Sequence, residues 1–154
     1  MAGSRQRKLL AEGARAPEFV LRELKERLAR GPVLLAFFKV SCPVCQYTFP
    51  FLERIAGAGL EIVGVSQDNA AAAREFSREY GVTFPMLIDD AAAGYAMSNA
   101  FGISSVPSLF LIEQDGTLSL SGEGFSKRDL EKAGSRAGLA PFREGERVPE
   151  LRPG

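Results

Sequence analysis

Runs of apolar residues alternate along the chain with segments in which apolar residues recur every three or four positions. Residues 33–38 are apolar throughout and residues 61–66 nearly so, which is typical of parallel strands buried on both faces of a sheet. Several segments with helical spacing end at glycine or at Gly-Pro, where a helix stops. Strands and helices that alternate in this way predict an α/β fold built on a layered sheet.

Turn and capping residues give bounds to each predicted element. The predicted strands span residues 13–21, 33–38, 61–66, 83–88, 106–112 and 117–121, and the predicted helices span residues 23–30, 43–56, 70–80, 91–101 and 126–137. The last two strands flank Gln114-Asp115-Gly116, a turn signal, and therefore form an antiparallel hairpin. This hairpin makes the sheet mixed, and we expect helices on both of its faces.

The chain divides into a central domain and two flanking segments. Residues 13–138 hold the predicted helices and strands, and the core of this domain is predicted to contain Phe37, Phe38, Phe49, Phe51, Phe84 and Phe110. Residues 1–12 are predicted to form a mobile N-terminal arm. Residues 139–154 carry several prolines among balanced charges and are predicted to form an extended C-terminal tail.

Composition and charge exclude several classes of function. The 154 residues are 45 % hydrophobic and 25 % charged, as is ordinary for one globular domain. Lys and Arg total 19, as do Asp and Glu, so the net charge of zero gives no reason to expect nucleic acid or an acidic membrane surface as a partner. The chain has no histidine, which argues against mixed-ligand zinc or copper sites and against imidazole-based catalysis. The sequence implies no metal and no organic cofactor.

No segment of the sequence predicts a passage across a membrane. A spanning helix needs about 18 or more consecutive apolar residues, and no run approaches that length. The basic start of the chain develops no apolar stretch of secretory length. We expect a cytoplasmic protein, with an export signal trimmed from the sequence as the alternative.

Both cysteines lie in one short stretch, Cys42-Pro43-Val44-Cys45, at the predicted junction between strand 33–38 and the next helix. Cys42 falls at the N-cap and Pro43 at the first helical position, where the missing N–H of proline costs nothing. A thiolate at Cys42 would face unpaired amide donors and the positive end of the helix dipole, which stabilise it. Cys45, one turn along, could then attack a mixed disulfide at Cys42. A structural disulfide or a pair of inert buried thiols is the alternative, and the helix-start position of Cys42 disfavours it.

These cysteines and the motifs around them resemble the thioredoxin superfamily. The shared order is a buried strand, Cys-x-x-Cys, a helix with Pro50 five residues after the second cysteine, and later Val106-Pro107 leading into a strand. Further motifs are similar to its redoxin branch, which contains TlpA-like thiol–disulfide oxidoreductases and AhpC/TSA-like peroxiredoxins. They are Gly13-x-x-Ala16-Pro17-x-Phe19-x-Leu21, the additional strand and helix over residues 83–101, and the stretch from Gly102 to Gly116.

The resemblance implies a fold, a catalytic pair and a substrate groove. The implied fold is a thioredoxin-like three-layer α/β/α sandwich with a central mixed sheet. Cys42 would be the exposed nucleophile and Cys45 the more buried resolving thiol. Pro107 would be a cis-proline that lies against the disulfide, with an ordinary edge-strand proline as the alternative. The implied substrate-binding residues are Pro107, Val106, Pro43 and Val44, and an extended substrate backbone would pair beside Val106.

Three positions depart from the family pattern. Ser41 stands where thioredoxins usually have tryptophan, Ala36 where they have a buried aspartate, and Thr48 where many TlpA-like members have glutamate. Both carboxylates that usually exchange protons with the resolving thiol are therefore missing. We expect water to take this role, or a carboxylate that approaches in space, such as Glu53 or Asp68, and we expect slower resolution than in a typical thioredoxin.

The sequence as a whole predicts an enzyme of thiol–disulfide exchange. We expect it to act on protein or small-molecule disulfides, to work with a redox partner protein, and to be a monomer or weak dimer. One alternative is a peroxiredoxin-like thiol peroxidase, but at the positions where peroxiredoxins carry Thr or Ser and an earlier proline, this chain has Cys42 and Phe38. The other alternative is a non-catalytic thioredoxin-like module that binds partner peptides beside Pro107.

Overall fold

A five-stranded sheet lies at the centre of the fold in the computed structural model, which describes residues 8–57 and 59–154. Its strands are β1 (Val33–Phe38), β2 (Glu61–Ser66), β3 (Met86–Ile88), β4 (Ser108–Ile112) and β5 (Leu118–Glu123). Their spatial order is β3-β2-β1-β4-β5, and β1 pairs in parallel with β2 but antiparallel with β4. The sheet is therefore mixed, as predicted. A small second sheet joins β6 (Phe125–Ser126) to β7 (Leu151–Arg152).

Helices cover both faces of the central sheet. They are α1 (Glu18–Glu23), α2 (Lys25–Arg30), α3 (Pro43–Ile55), α4 (Ala70–Tyr80), α5 (Ala96–Phe101) and α6 (Lys127–Ala137). Neighbouring residues of a strand point to opposite faces, so Phe37 and Phe38 of β1 enter different layers. Phe38 packs on Phe49 of α3, while Phe37 packs on Phe101 of α5, with ring centroids 4.6 and 5.3 Å apart. The three-layer α/β/α sandwich is the fold that the sequence predicts.

The core follows the apolar runs of the sequence. Every residue of β1 is fully buried, because the strand lies in the middle of the sheet with helices on both sides. The phenylalanines predicted to be core are all buried, namely Phe37, Phe38, Phe49, Phe51, Phe84 and Phe110. Apolar burial of this extent is the main favourable contribution to folding, and it holds the ends of β1 and α3 in fixed positions.

The predicted strand over residues 13–21 is wrong for most of its length. Only Arg15 forms a bridge, with Thr117, and α1 begins at Glu18. Pro17 ends the extended segment because it has no N–H for a ladder and its φ of −57° suits the start of a helix. The predicted helix over residues 23–30 is divided, since the backbone at Leu24 (φ −97°, ψ 6°) separates α1 from α2.

Two strands and one helix are shorter than predicted, because prolines or residues with left-handed backbone conformation lie near their predicted starts. β3 and β4 begin at Met86 and Ser108, each directly after a proline, which cannot donate to a strand ladder. The helix predicted from residue 91 begins only at residue 96. Gly94 and Tyr95 both have positive φ, +66° and +49°, and such residues interrupt a right-handed helix.

The C-terminal residues 139–154, for which the sequence predicts an extended tail, pack on the domain. The ring of Phe142 lies 5.0 Å from that of Phe51 on α3. The guanidinium of Arg54 makes two hydrogen bonds to the carboxylate of Glu146, at 2.7 and 3.0 Å. These contacts, and the pairing of β7 with β6, lead the segment along α3 towards its N-terminal end.

The described part of the N-terminal arm also contacts the domain. The backbone N–H of Leu10 donates to the carbonyl of Phe101 at 2.9 Å, and the carbonyl of Leu10 accepts from the hydroxyl of Ser121. Residues 1–7 of the predicted arm lie outside the described residues. Residues 8–12 are therefore packed along α5 and β5.

Candidate active site

The two cysteines lie where the chain leaves β1 and enters α3. Cys42 is the N-cap of α3, with extended backbone (φ −83°, ψ 113°), and Pro43 is the first helical residue. The Sγ of Cys42 accepts a hydrogen bond from the backbone N–H of Cys45 at 3.1 Å. The start of a helix leaves amides unpaired, and a thiolate at this position would pair with one of them and face the positive end of the helix dipole. The predicted N-cap placement of Cys42 is confirmed.

The two thiols differ in exposure. Both are free thiols, but Cys42 is partly exposed while Cys45 is fully buried. Burial raises the pKa of the Cys45 thiol, and a hydrogen bond with Cys42 and the negative charge of Asp68 raise it further, against an opposing backbone hydrogen bond from Lys39. Cys45 is therefore a protonated thiol at neutral pH, and Cys42 is the sulfur that a substrate can reach.

The loop before β4 lies directly beside Cys42. The Val106–Pro107 peptide bond is cis, and the Val106 carbonyl accepts from the Cys42 thiol at 3.5 Å. The carbonyl of Pro107 accepts from the N–H of Gly124 at 2.8 Å, which ties the loop to the turn between β5 and β6. The side chains of Val106 and Pro107 are buried, so the loop presents its backbone to the dithiol.

Hydrogen bonds hold the segment that precedes Cys42. The N–H of Val40 donates to Oδ2 of Asp68 at 2.8 Å, and the carbonyl of Val40 accepts from Nε2 of Gln46 at 2.9 Å. The N–H of Cys42 donates to the carbonyl of Lys39 at 3.1 Å. This turn is bonded to Asp68, two residues after the end of β2, and to the first turns of α3, and these bonds fix the position of the nucleophile.

Only one of the two carboxylates named from sequence lies near the dithiol. Glu53 is eight residues beyond Cys45 on α3, about 12 Å along the helix axis. Its carboxylate accepts from the N–H of Thr83 at 2.8 Å, on the far side of the domain from Cys42. Asp68 acts electrostatically on Cys45. Of the two carboxylates, Asp68 therefore lies against the turn that precedes Cys42, where it accepts from the N–H of Val40, and Glu53 does not.

None of the three residues that depart from the family pattern carries a carboxylate. Ala36 is fully buried in β1. Thr48 is also fully buried, and its hydroxyl donates to the carbonyl of Val44 at 2.7 Å within α3. Ser41 is exposed beside Cys42. The polar group of Thr48 is thus used inside the helix and does not reach Cys45 as a proton acceptor.

An open cleft of about 630 Å³ adjoins Cys42. Polar uncharged side chains dominate its lining, which consists of Lys39, Ser41, Cys42, Pro43, Gln67, Tyr95, Ser98, Asn99, Ile103, Ser104, Ser105, Val106 and Gly154. Its volume is within the range of small-molecule sites. Among the predicted substrate-binding residues, Pro43 and Val106 line this cleft. Val44 and Pro107 do not, because Val44 is only 9 % exposed and Pro107 is also buried.

A network of hydrogen-bonded polar side chains lies on the wall of the cleft, and the sequence pattern did not predict it. The carboxylate of Asp89 is 1 % exposed and accepts from the N–H and the hydroxyl of Ser98 at 2.7 and 2.6 Å. The Ser98 hydroxyl accepts in turn from Nε2 of Gln67 at 2.9 Å. The position of Gln67 directly after β2 was a usable signal, because ligands of α/β sheets bind at the carboxyl ends of parallel strands. For Gly154, which is also on the cleft, no local signal exists.

Other types of site find no support in the described residues. Over residues 8–57 and 59–154 there is no group of His, Cys, Asp or Glu side chains that could hold a metal ion. No helix in the same residues is long and apolar enough to span a membrane.

Comparison with known proteins gives a family match and close relatives. The model of the AhpC/TSA family matches residues 13–121. Thiol-disulfide oxidoreductase ResA of Halalkalibacterium halodurans is 32 % identical over 124 residues, which cover 73 % of this chain and 68 % of that protein. The protein of the same name from Geobacillus kaustophilus is 30 % identical over 135 residues, covering 80 % of this chain and 76 % of that protein.

Solved structures share the fold. The thioredoxin domain of a thiol-disulfide oxidoreductase from Bacteroides vulgatus superposes with a TM-score of 0.67 at 19 % identity, covering 82 % of this chain and 97 % of that domain. This likeness confirms the thioredoxin-like three-layer fold. Together with the family match, it also confirms the resemblance that the motifs of the sequence indicated.

Proposed function

Since the chain belongs to the AhpC/TSA family and is a thioredoxin-like thiol–disulfide oxidoreductase, we propose that Cys42 is its nucleophile and Cys45 its resolving thiol. The substrates are disulfides of proteins or small molecules, and a redox partner protein exchanges electrons with the dithiol. The observation that supports this assignment is the Cys42 sulfur at the N-cap of α3. It is partly exposed on the cleft, while Cys45 is fully buried one turn away.

The first step uses the accessible sulfur. The thiolate of Cys42 attacks one sulfur of the substrate disulfide, so that a bond forms to Cys42 and the substrate S–S bond breaks. The departing substrate thiolate takes up a proton. The amide of Cys45 and the helix dipole stabilise the attacking thiolate.

The second step uses the buried sulfur. Cys45 loses its proton and attacks the Sγ of Cys42, the disulfide between Cys42 and Cys45 forms, and the second substrate thiol leaves. Two electrons and two protons have then passed from the dithiol to the substrate. A redox partner that carries a dithiol returns these electrons and protons to the enzyme. When the partner is an oxidant, the same two steps run in the reverse direction.

Cys45 must lose a proton in the second step, because burial raises the pKa of this thiol and keeps it protonated. Asp68, which accepts from the N–H of Val40 on the turn before Cys42, is the carboxylate we assign to this proton transfer in place of the two that the family usually supplies. The negative charge of Asp68 also disfavours the Cys45 thiolate. We therefore expect the attack of Cys45 on the mixed disulfide to be slower than in a typical thioredoxin.

Neither alternative function has comparable support. A thiol peroxidase working through Cys45 would place its reactive sulfur where the fold leaves no exposed surface. A module without catalysis would have no use for a dithiol whose nucleophile lies at a helix N-cap on an open cleft. The relatives that match most of this chain carry the name of an oxidoreductase.

The test compares wild type with Cys42→Ser in the reduction of bis(2-hydroxyethyl) disulfide and of insulin by dithiothreitol. We expect wild type to exceed the uncatalysed rate and Cys42→Ser to fall to it. Equal rates for the two proteins would refute the assignment of Cys42. Cys45→Ser should accumulate mixed disulfides with substrate, whereas the variant lacking both cysteines is the matched control and should accumulate none.

A further inference from the structure

The last six residues of the chain reach the dithiol. The carbonyl of Glu150 accepts from the N–H of Lys127 at 2.9 Å, and β7 then pairs with β6 in antiparallel register. The guanidinium of Arg152 lies over the ring of Tyr47 on α3, 5.2 Å from its centroid. Backbone pairing and a cation–π contact thus hold residues 149–154 along the first turns of α3.

Two glycines let this segment approach the loops around the dithiol. A Cβ placed on Gly154 would lie 2.0 Å from the carbonyl oxygen of Val106 and 3.3 Å from the nitrogen of Pro107. A Cβ on Gly124, whose φ is +72°, would lie 2.5 Å from the carbonyl oxygen of Arg152. Neither position has space for a side chain, so the fit between segment and loop depends on both glycines.

The segment covers the backbone group that an extended substrate would use. Chains that bind in extended form add to an exposed backbone edge through main-chain hydrogen bonds. Beside Cys42 that edge is the backbone of Val106, whose carbonyl is 3.5 Å from the Cys42 sulfur. Gly154 lies against the same carbonyl. A polypeptide cannot occupy this edge while residues 149–154 are in place.

The open cleft leaves a second route to Cys42. It has a volume of about 630 Å³ and is lined mainly by neutral polar side chains, such as Ser41, Gln67 and Asn99. A small disulfide fits a cavity of this size. Gly154 is one of the residues that line the cleft, and the others lie outside residues 149–154, so the route for small molecules remains when the segment is absent.

We propose that residues 149–154 determine the substrate class of this enzyme, because they close the backbone edge beside Val106 to polypeptides and leave Cys42 open to small disulfides through the cleft. The proposal rests on the proposed function in taking Cys42 as the nucleophile. Protein disulfides react only when the segment leaves β6.

The first test compares the full chain with a chain that ends at Val148. The kcat/KM for insulin should rise at least about tenfold in the shortened chain, since the competent state is no longer a minor population. The value for bis(2-hydroxyethyl) disulfide should stay within about twofold, because the cleft route exists in both chains. An unchanged or lower value for insulin, or an equal rise for both substrates, would overturn the proposal.

A second test does not depend on the oxidoreductase activity. Iodoacetamide and a maleimide linked to a 20-residue extended peptide alkylate Cys42 in both chains. Shortening should accelerate the peptide-linked reagent about tenfold and iodoacetamide by less than about twofold. Equal acceleration, or none, contradicts the role of the segment even if both chains reduce disulfides. If neither chain reduces any disulfide but the alkylation ratio changes as expected, only the proposed function fails.

A point variant covers the case in which the shortened chain does not fold. Arg152→Ala removes the contact with Tyr47, and a loss of about 0.5–1 kcal/mol corresponds to a two- to fivefold rise in peptide-linked alkylation. Arg147→Ala is the matched control, because this arginine is exposed just before the segment and lies outside the pairing with β6. Equal alkylation ratios in the two variants would overturn the proposal.

Discussion

Replacement of Asp89 by asparagine should destabilise the protein far more than the same change at its neighbour Asp90. Asp89 is 1 % exposed, and its two oxygens accept three hydrogen bonds. Oδ1 accepts from the N–H of Met97 at 2.9 Å, and Oδ2 accepts from the N–H and hydroxyl of Ser98 at 2.7 and 2.6 Å. The carboxylate of Asp90 accepts one hydrogen bond, from the exposed N–H of Ala93 at 3.0 Å.

The expected loss of stability follows from the hydrogen-bond donors that asparagine cannot satisfy. If the amide oxygen takes the place of Oδ2, two hydrogen bonds change from charged to neutral acceptors, which weakens each by about 1 kcal/mol. The amide nitrogen then faces the N–H of Met97, and leaving this buried donor unpaired costs a further 1–3 kcal/mol or so. We therefore expect Asp89→Asn to lower the free energy of unfolding by about 3–5 kcal/mol.

Urea unfolding at pH 7 under reducing conditions measures this difference, with thermal unfolding as a second readout. A loss of 3–5 kcal/mol corresponds to a fall in Tm of about 6–20 °C for a domain of this size. Asp90→Asn should cost less than about 1 kcal/mol, since its donor can bond to water instead. If the two variants lie within 1 kcal/mol or so of each other, the buried cap does not hold α5 in the way described.

Three further predictions concern the tail, the resolving thiol and the core. A hydrogen bond from Arg54 holds the pKa of Glu146 at about 2 instead of 4.5, so its contribution to stability is present above pH 4.5 and is lost as the pH falls towards 2. Urea unfolding of wild type and Glu146→Gln should thus differ at pH 6 and converge near pH 2, and a constant difference would contradict the ion pair. Burial raises the pKa of Cys45, so an unfolded chain loses the proton of this thiol at a lower pH than the folded chain does. The free energy of unfolding is therefore unaffected by this thiol below about pH 8.5, the pKa of an unfolded thiol, and falls as the pH rises above it. Unfolding of the reduced protein between pH 7 and 10 should show this loss, and Cys45→Ser should remove it. Phe38→Ala should lower the free energy of unfolding by about 3–5 kcal/mol, because it leaves a cavity between β1 and two helices, whereas Phe19→Ala, at a surface position that is 39 % exposed, should cost under about 1 kcal/mol.

Local patterns were enough to predict the elements that position the dithiol. The bounds of β1, β2 and α4 agree with prediction residue by residue, because a continuous apolar run and a capped amphipathic segment depend on neighbours in the chain. The N-cap placement of Cys42 follows from the same kind of information. Where a proline or a left-handed residue interrupts a pattern, as at Pro17 and Tyr95, prediction placed the element too early or in the wrong class.

The cap on α5 shows why local patterns then fail. The sequence predicted a helix directly after Asp89-Asp90, and both aspartates do cap backbone amides. Asp89, however, bonds eight and nine residues ahead, because Gly94 and Tyr95 turn the chain back before the helix starts. A capping residue in sequence carries no information on which of several nearby amides it will meet once the chain has turned.

The sequence by itself determined the fold class, the strand-to-helix position of the dithiol and the residue types available to it. Only the tertiary structure decided that Cys45 is buried, that Asp68 and not Glu53 bonds to the turn before Cys42, and that the carbonyl of Val106 lies beside Cys42. It also decided that the segment after residue 148 returns to the same carbonyl. The reason is physical, since periodicity and caps report interactions within one element, while these contacts join residues far apart in the chain whose meeting depends on how the layers pack.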